Sequence, residues 1–314
     1  MIGALGKRIL GTRGSALALW QARHVAKMLR DKLGASLEIE ERIVTTSGDL
    51  HQGAFGEEDK GAFVNALEAR LLAGEIDVAV HSLKDLPSSE TPGLIIAAVP
   101  VREDPRDALV TQSGSTFEEL PQGARVATGS PRRRGQLLHV RPDLELCELR
   151  GNIDSRCTTV TEGRYDAIVL AVAGLKRLGL EIAWQPLETK LSLPAVSQGA
   201  LAVQCRSDDR DWVEALRTLE DASTRHQINA ERAFSAELGG GCLAPATAWA
   251  RPDGEDLLIE AVVTSLDGTK RLYDKSRCPA AEGVAAARGL ARTLLDQGAA
   301  EILQQARESA TDGD

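Results

Sequence analysis

Aromatic residues are scarce in this chain: Phe, Trp and Tyr make up 3% of 314 residues. A core must therefore be filled with Leu, Ile, Val and Ala, a composition that suits packed α/β layers. Long apolar runs are missing as well. The longest, Ala167 to Leu175, is about half of what a bilayer span needs, and Met1–Arg8 (MIGALGKR) has no signal-peptide hydrophobic region. A cytoplasmic protein without a membrane partner is expected. The five cysteines, Cys147, Cys157, Cys205, Cys242 and Cys278, are odd in number and far apart, with no C-x-x-C or His-rich zinc spacing. Free thiols are expected, and neither a disulfide framework nor a structural metal. Excess positive charge is lacking too: the net charge of −9 argues against nucleic acid as the main partner.

What is present is enough apolar matter, 43% hydrophobic residues, to bury real cores. The length exceeds what one core supports, so two or three domains are expected. The charge is unevenly spread. Arg125 to Arg177 holds ten Lys/Arg against six Asp/Glu, a local +4 inside an acidic chain. A basic pocket in such a protein points to a small anionic ligand.

Lys7–Gly11 reads as a short strand. It is followed by a helix in which Leu19, Ala22, Val25, Ala26, Leu29 and Leu33 repeat at helical spacing, with Ser15 as N-cap and Gly34 as stop. Leu37–Val44 is a strand, Thr45–Lys60 a polar Gly-rich stretch, Phe63–Leu72 a helix and Ile76–Val80 a strand. This β-α-β-α-β order favours a mainly parallel sheet with helices on its faces. A similar order recurs in Arg125–Ala127, a helix from Pro131, Leu144–Cys147, a helix near Ile153–Val160, and Ala167–Val172. Two α/β domains with a cleft between them are expected. From Ser223 the pattern changes to a helix, a Gly-rich turn, two strands (Leu257–Thr264 and Arg271–Lys275) and a closing helix from Ala280 to Leu294 or beyond, a smaller α+β domain.

Chemistry in parallel sheets gathers at the carboxyl ends of strands. At Thr12-Arg13-Gly14-Ser15, the helix-start N–H groups and the Arg13 fork suit a carboxylate; an ordinary N-cap beside a solvated arginine is the alternative. His81-Ser82-Leu83-Lys84-Asp85-Leu86-Pro87 follows an apolar strand. It offers a cation beside a carboxylate, with Asp85 available for proton transfer or for stabilising a developing cation; the alternative is a solvated turn ended by Pro87. In Ala127-Thr128-Gly129-Ser130-Pro131-Arg132-Arg133-Arg134, Ser130 and Pro131 fit a helix start. Three arginines in that first turn do not, since each opposes the positive end of the helix dipole at a cost of about a few tenths of a kcal/mol. An anion bridging dipole and guanidinium groups removes the conflict. Arg150 and Arg156 bracket Gly151-Asn152 at another strand-to-helix junction, and Arg177 follows an apolar strand. Repeated arginine at strand ends points to a polycarboxylate site, with a basic surface stripe as the alternative.

Cys242 ends Glu237-Leu238-Gly239-Gly240-Gly241-Cys242, after a predicted helix. Three residues without Cβ let backbone or ligand approach a thiol anchored by that helix, which makes it a candidate attachment point. An incidental cysteine after a helix stop is the plainer reading.

Taken in order, His81–Pro87, Ser130–Arg133, Leu149-Arg150-Gly151-Asn152, Ala171–Gly179, Leu193-Pro194-Ala195-Val196 and Gly240-Gly241-Cys242 resemble the porphobilinogen deaminase (hydroxymethylbilane synthase) family, from about Ile9 to the C-terminal helix. The resemblance implies two periplasmic-binding-protein-like α/β domains with a hinge plus a smaller α+β domain. Their expected bounds are residues 1–101 with 197–220, residues 102–196, and residues 221–314. It also implies a transferase of haem and tetrapyrrole biosynthesis, a monomer, that joins four porphobilinogen units head to tail on a dipyrromethane cofactor, releases ammonia, and then releases hydroxymethylbilane. By this resemblance Cys242 carries the cofactor as a thioether. Asp85 is the catalytic carboxylate that stabilises the azafulvene cation formed when porphobilinogen loses ammonia. Ser15, Lys84, Asp85, Thr128, Ser130, Arg132, Arg133 and Arg150 are implied to contact the cofactor, and Arg13, Ser15, Arg150, Arg156 and Arg177 the substrate.

The chain departs from the usual family pattern at Gly129 and Pro131, where a Ser and a Leu are common, at Ser197, where a glycine is usual, and at Ala16, where a proline often stands. Thr45–Lys60 is expected to be a lid over the site. Two other classes compete. An anion-binding module explains the arginines but gives Cys242 and Asp85 no role. A cysteine-nucleophile transferase needs a histidine base, and none of His24, His51, His81, His139 or His226 sits in a partner motif.

Overall fold

The computed structural model describes residues 6–34, 36–44, 57–239 and 244–311. The chain divides into two compact units, Met1–Glu103 with Gly199–Arg225, and Asp104–Gln198 with His226–Asp314.

In the first unit β1 (Lys7–Thr12) leads through the N-cap Ser15 into α1 (Ala16–Leu33), which stops at Gly34 as its spacing predicts. β2 (Glu38–Ile43), α2 (Glu57–Leu72), β3 (Val78–Ser82) and β4 (Leu94–Ala98) follow. α2 begins at Glu57, ahead of the expected Phe63, so Glu57–Lys60 of the expected polar stretch are helical; residues 45–56 of the expected lid, including His51, lie outside the described residues. α1 buries Gln21, Ala22, Val25, Ala26 and Leu29 against Leu10, Val78, Val80, Leu201 and Val203 on one sheet face. On the other face Leu67 and Leu71 of α2 pack with Val44, Ile76 and Ala79.

The second unit holds β5 (Asp107–Thr111), β6 (Arg125–Ala127), α3 (Pro131–Val140), β7 (Glu145–Cys147), α4 (Ile153–Thr161), β8 (Ala167–Ala171), α5 (Val172–Leu178) and β9 (Trp184–Pro186). β10 (Leu201–Arg206) and α6 (Arg210–Arg217) return to the first unit. The sheets run β2-β1-β3-β10-β4 and β7-β6-β8-β5-β9. Each has the same pattern: two parallel pairings at one side and two antiparallel pairings at the other. The expected mainly parallel sheet is thus corrected to a mixed one. The strand antiparallel to both its neighbours in each sheet is the first after the chain passes between units, β5 after Glu103 and β10 after Gln198. Both are short and almost wholly buried, DALVT throughout and LAVQCR in all but its last residue. They carry no alternation by which a sequence marks a strand.

The remainder of the second unit, from His226, is a smaller C-terminal domain: all but the first turn of α7 (Ala222–Glu237), the antiparallel sheet β11 (Ala246–Asp253), β12 (Asp256–Thr264) and β13 (Arg271–Pro279), then α8 (Gly283–Leu294) and α9 (Ala300–Thr311). The two expected strands are three. The expected closing helix is interrupted at Gly298, whose φ of 102° is not helical. One sheet face, with Ala248, Ala250, Ile259, Ala261 and Val263, packs on Phe234, Leu290, Leu294, Ile302 and Leu303.

Candidate active site

Four expected site residues lie in the first unit. Thr12 ends β1 fully buried, its hydroxyl donating to the Ala18 carbonyl at 3.2 Å. This turns the chain so that Arg13 and Ser15 stand at the start of α1. Ser15 is half buried and its Oγ accepts from the Ala18 N–H at 3.4 Å, an ordinary N-cap bond. β3 ends in a single 3₁₀ turn, Leu83–Asp85, tied down by the Leu83 N–H to the Ala200 carbonyl at 3.0 Å. Leu83 is buried beneath while Lys84 and Asp85 remain half exposed. Among the described residues no group donates a hydrogen bond to the Asp85 carboxylate, which leaves its lone pairs available to a ligand N–H.

A polar chain supports this turn from below. His81 Nε2 lies 3.0 Å from Gln204 Oε1, Gln204 Nε2 donates to Glu68 Oε1 at 2.8 Å, and Thr91 Oγ1 donates to Glu68 Oε2 at 2.7 Å. Since the Gln204 amide nitrogen is engaged by Glu68, its oxygen accepts, and His81 bears its proton on Nε2. Burial pushes the His81 pKa down to about 4, against the opposing pull of the Gln204 bond and of the Glu68 and Asp85 charges. The imidazole is therefore neutral at pH 7.

The second unit holds the arginines. Thr128 follows β6, its N–H donating to the Cys147 carbonyl at 2.9 Å and its Oγ1 accepting from the Ser130 N–H at 3.2 Å. Ser130 caps α3, accepting from the Arg133 N–H at 3.4 Å, with Pro131 in the first turn. The sequence pattern calls for an anion beside Arg132 and Arg133, and the protein supplies one itself. Asp107, the fully buried first residue of β5, accepts from Arg132 Nη1 (2.8 Å) and Nη2 (3.2 Å) and from Arg133 Nε (3.0 Å) and Nη2 (2.7 Å). Arg132 Nη1 also bonds to Ser192 Oγ at 3.3 Å and to the Leu193 carbonyl, and Arg133 Nη1 donates to the Val169 carbonyl at 2.7 Å. Arg134 turns away to the Leu146 carbonyl at 3.0 Å.

Arg150 lies exposed at the junction before α4, where Asn152 is the N-cap, and Arg156 Nε donates to the Gly151 carbonyl at 2.8 Å. Arg177 sits in the last turn of α5, more than nine-tenths buried. Cys242 lies outside the described residues; the four described cysteines are free thiols.

Sequence reasoning missed Asp107, Ser192 and Gln198, which donates to Asp107 Oδ1 at 2.9 Å. A signal was present: Asp107 opens a strand, DALVT, that is buried throughout, and a carboxylate there needs a cationic partner.

A ligand with acidic side chains fits these groups. Arg132, Arg133 and Asp107 form a buried cluster with two positive charges and one negative, and no second carboxylate bonds to either arginine among the described residues. One further carboxylate balances the cluster. Among the described residues there is no group of His, Cys, Asp and Glu able to hold a metal ion, and no helix long and apolar enough to cross a membrane.

Residues 9–214 match the family model described as porphobilinogen deaminase, dipyromethane cofactor binding domain, and residues 226–296 match the porphobilinogen deaminase C-terminal domain. A porphobilinogen deaminase of Syntrophomonas wolfei is 46% identical over 302 residues, 95% of this chain and 98% of that one. One from Geobacter sulfurreducens is 41% identical over 305 residues, 96% and 95% of the two chains. Among solved structures, a probable amino-acid ABC transporter extracellular-binding protein of Bacillus subtilis aligns over 68% of this chain and 89% of its own at 12% identity, with a TM-score of 0.39, too loose a likeness to bear on the site. The chain belongs to the porphobilinogen deaminase family, the hydroxymethylbilane synthases of tetrapyrrole biosynthesis, with a dipyrromethane cofactor-binding domain.

Proposed function

We propose that this chain is a transferase that joins four porphobilinogen units head to tail, releasing one ammonia per unit, and then hydrolyses the chain off with one water as the linear tetrapyrrole hydroxymethylbilane, as a cytoplasmic monomer. The observation that carries this reading is the meeting of Ser130, Arg132 and Arg133 at the start of α3, inside the segment that matches the cofactor-binding model. The dipyrromethane cofactor, joined to the Cys242 sulfur by a thioether, supplies the pyrrole carbon to which units are added.

The protein's own groups do the rest. Arg132 and Arg150, with Ser130, Thr128, Arg133, Ser15 and Lys84, hold the cofactor's acidic side chains; Arg13, Arg156 and Arg177, with Ser15 and Arg150, hold those of porphobilinogen. Each unit brings two carboxylates, so a growing chain needs many guanidinium forks, which fix a planar carboxylate better than ammonium groups do. Asp85 accepts from pyrrole N–H groups and offsets the positive charge that develops as ammonia leaves, an effect larger in a water-poor site than in solution. His81, neutral and tied to Gln204, supports the turn that holds Asp85 without adding a competing positive charge. The residues are assigned to three domains: 1–101 with 197–220, 102–196, and 221–314.

Intact-mass spectrometry tests the reading. The purified chain is expected to exceed its sequence mass by two pyrrole units, and Cys242→Ser to show the bare mass and no activity. A bare mass for the unaltered protein overturns the reading in favour of an anion-binding module or an enzyme using a free cysteine nucleophile. Pyrrole colour retained by Cys242→Ser after denaturation moves the attachment elsewhere.

A further inference from the structure

Asp107 receives more donors than a carboxylate ordinarily accepts. Besides the four bonds from Arg132 and Arg133, Ser192 Oγ donates to Oδ2 at 2.8 Å and Gln198 Nε2 to Oδ1 at 2.9 Å. Six donors saturate the roughly four lone-pair sites of a carboxylate. Asp107 is also fully buried, so it has neither a free lone pair nor a surface with which to meet a ligand. Whatever it does in the reaction it does through the two arginines.

We infer that Asp107 is a positioning residue for the acidic cofactor: it locks Arg132 and Arg133 in one orientation and leaves their cluster with a single positive charge, matched to one carboxylate. This rests on the reading above, in which those arginines hold the cofactor.

The geometry gives each part of the inference a cause. Both guanidinium groups are anchored twice, on Asp107 and on a main-chain carbonyl, Leu193 for Arg132 and Val169 for Arg133. Long side chains otherwise free to rotate are thus fixed before any ligand arrives, which removes an ordering cost from binding. Ser192 and Gln198 hold Asp107 from the opposite end of the segment 192–198, and Gln136 fastens that segment to α3 by accepting from the Leu193 N–H at 2.8 Å. Burial alone pushes the Asp107 pKa up, but the two guanidinium charges overcome it and hold the carboxyl far below the ordinary carboxylate range. The cluster therefore keeps the same charge throughout the neutral range. Without Asp107 it is doubly positive and its forks have no common axis.

The test replaces Asp107 by Asn in the full-length protein, expressed as the wild type is. The fraction of molecules carrying the cofactor is read by intact mass, and turnover per loaded molecule by porphobilinogen consumption. The loaded fraction is expected to fall at least about fivefold while turnover per loaded molecule stays within about twofold. A general folding defect lowers both. A loaded fraction equal to that of the wild type, or a fall of more than about twofold in turnover per loaded molecule, overturns the inference. Should Asp107→Asn not fold, Ser192→Ala decides. It keeps all three charges and removes one donor to Asp107. It is expected to slow loading at least about twofold with a circular dichroism spectrum like that of the wild type, and unchanged loading overturns the inference. A wild type of bare mass, by contrast, refutes the cofactor reading itself and not the role of Asp107 within it.

Discussion

Ser197 donates its backbone N–H to Glu231 Oε2 at 2.6 Å, while Glu231 Oε1 accepts from the Ala250 N–H at 3.0 Å. One fully buried carboxylate thereby ties the end of the 192–198 segment to α7 and β11. To make this bond Ser197 adopts φ 62°, the one positive value at a non-glycine residue among those described, and its buried Oγ finds no partner. The family's usual glycine meets the same backbone requirement without strain or an orphaned hydroxyl. Ser197→Gly is therefore expected to raise stability by about 1 kcal/mol, the relieved strain and desolvation outweighing the extra chain entropy of glycine. Urea denaturation checks this, and a midpoint equal to or below that of the wild type contradicts it.

Asp85→Asn keeps the volume and one acceptor but removes the charge. Turnover is expected to fall at least about a hundredfold, roughly 2.7 kcal/mol of barrier, with the cofactor still attached. Rapid-quench kinetics together with intact mass measure the two quantities. Turnover within about tenfold of the wild type would move the catalytic role to another group.

Two glycines mark where the C-terminal domain meets α3. A Cβ on Gly135 would sit 2.3 Å from Thr264 Oγ1 and 2.5 Å from the Ser265 carbonyl; one on Gly268, at φ 74°, would sit 2.4 Å from the His139 nitrogen. Neither set of backbone atoms can move aside cheaply, so alanine at either position is expected to cost at least about 2 kcal/mol. Gly254 has a similar φ of 66° but its nearest neighbour is Arg277 Nη2 at 3.9 Å, and alanine there should cost only about 1 kcal/mol of backbone strain. Equal losses at the three positions would show that crowding is not the cause.

His81 gives the fold a pH dependence of definite sign. Its folded pKa of about 4 lies below the ordinary 6.5, so between these values the unfolded chain takes up a proton that the folded one refuses. Stability is complete above pH 6.5 and falls as the pH drops toward 4, by up to about 3 kcal/mol. His81→Gln retains a donor toward Gln204 and cannot titrate. In thermal melts the wild type should lose stability between pH 6.5 and 4 that His81→Gln retains, so the acid limb of the variant should be the shallower of the two. Parallel acid limbs would assign the loss to other groups.

The sequence alone determined the elements whose signals are local. α1 runs from its Ser15 cap to its Gly34 stop as its apolar spacing requires, because capping and helical periodicity act over four residues or fewer. Arginines at strand ends and the ordered motifs were equally legible, since they need only residue identity and position. β5 and β10 were not, because buried, non-alternating segments take their direction and neighbours from pairings made over sequence separations of 56 residues or more, as between Thr111 and Ala167 in the second unit and between Val78 and Cys205 in the first. The arginine turn shows the same division most plainly. Its residues announce that an anion must stand beside α3, and helix electrostatics explain why. That this anion is Asp107, 25 and 26 residues earlier in the chain, was decided by the tertiary structure. A carboxylate reaches two guanidinium groups only where strand pairing and helix packing have set the distances, and no rule acting on neighbouring residues fixes those.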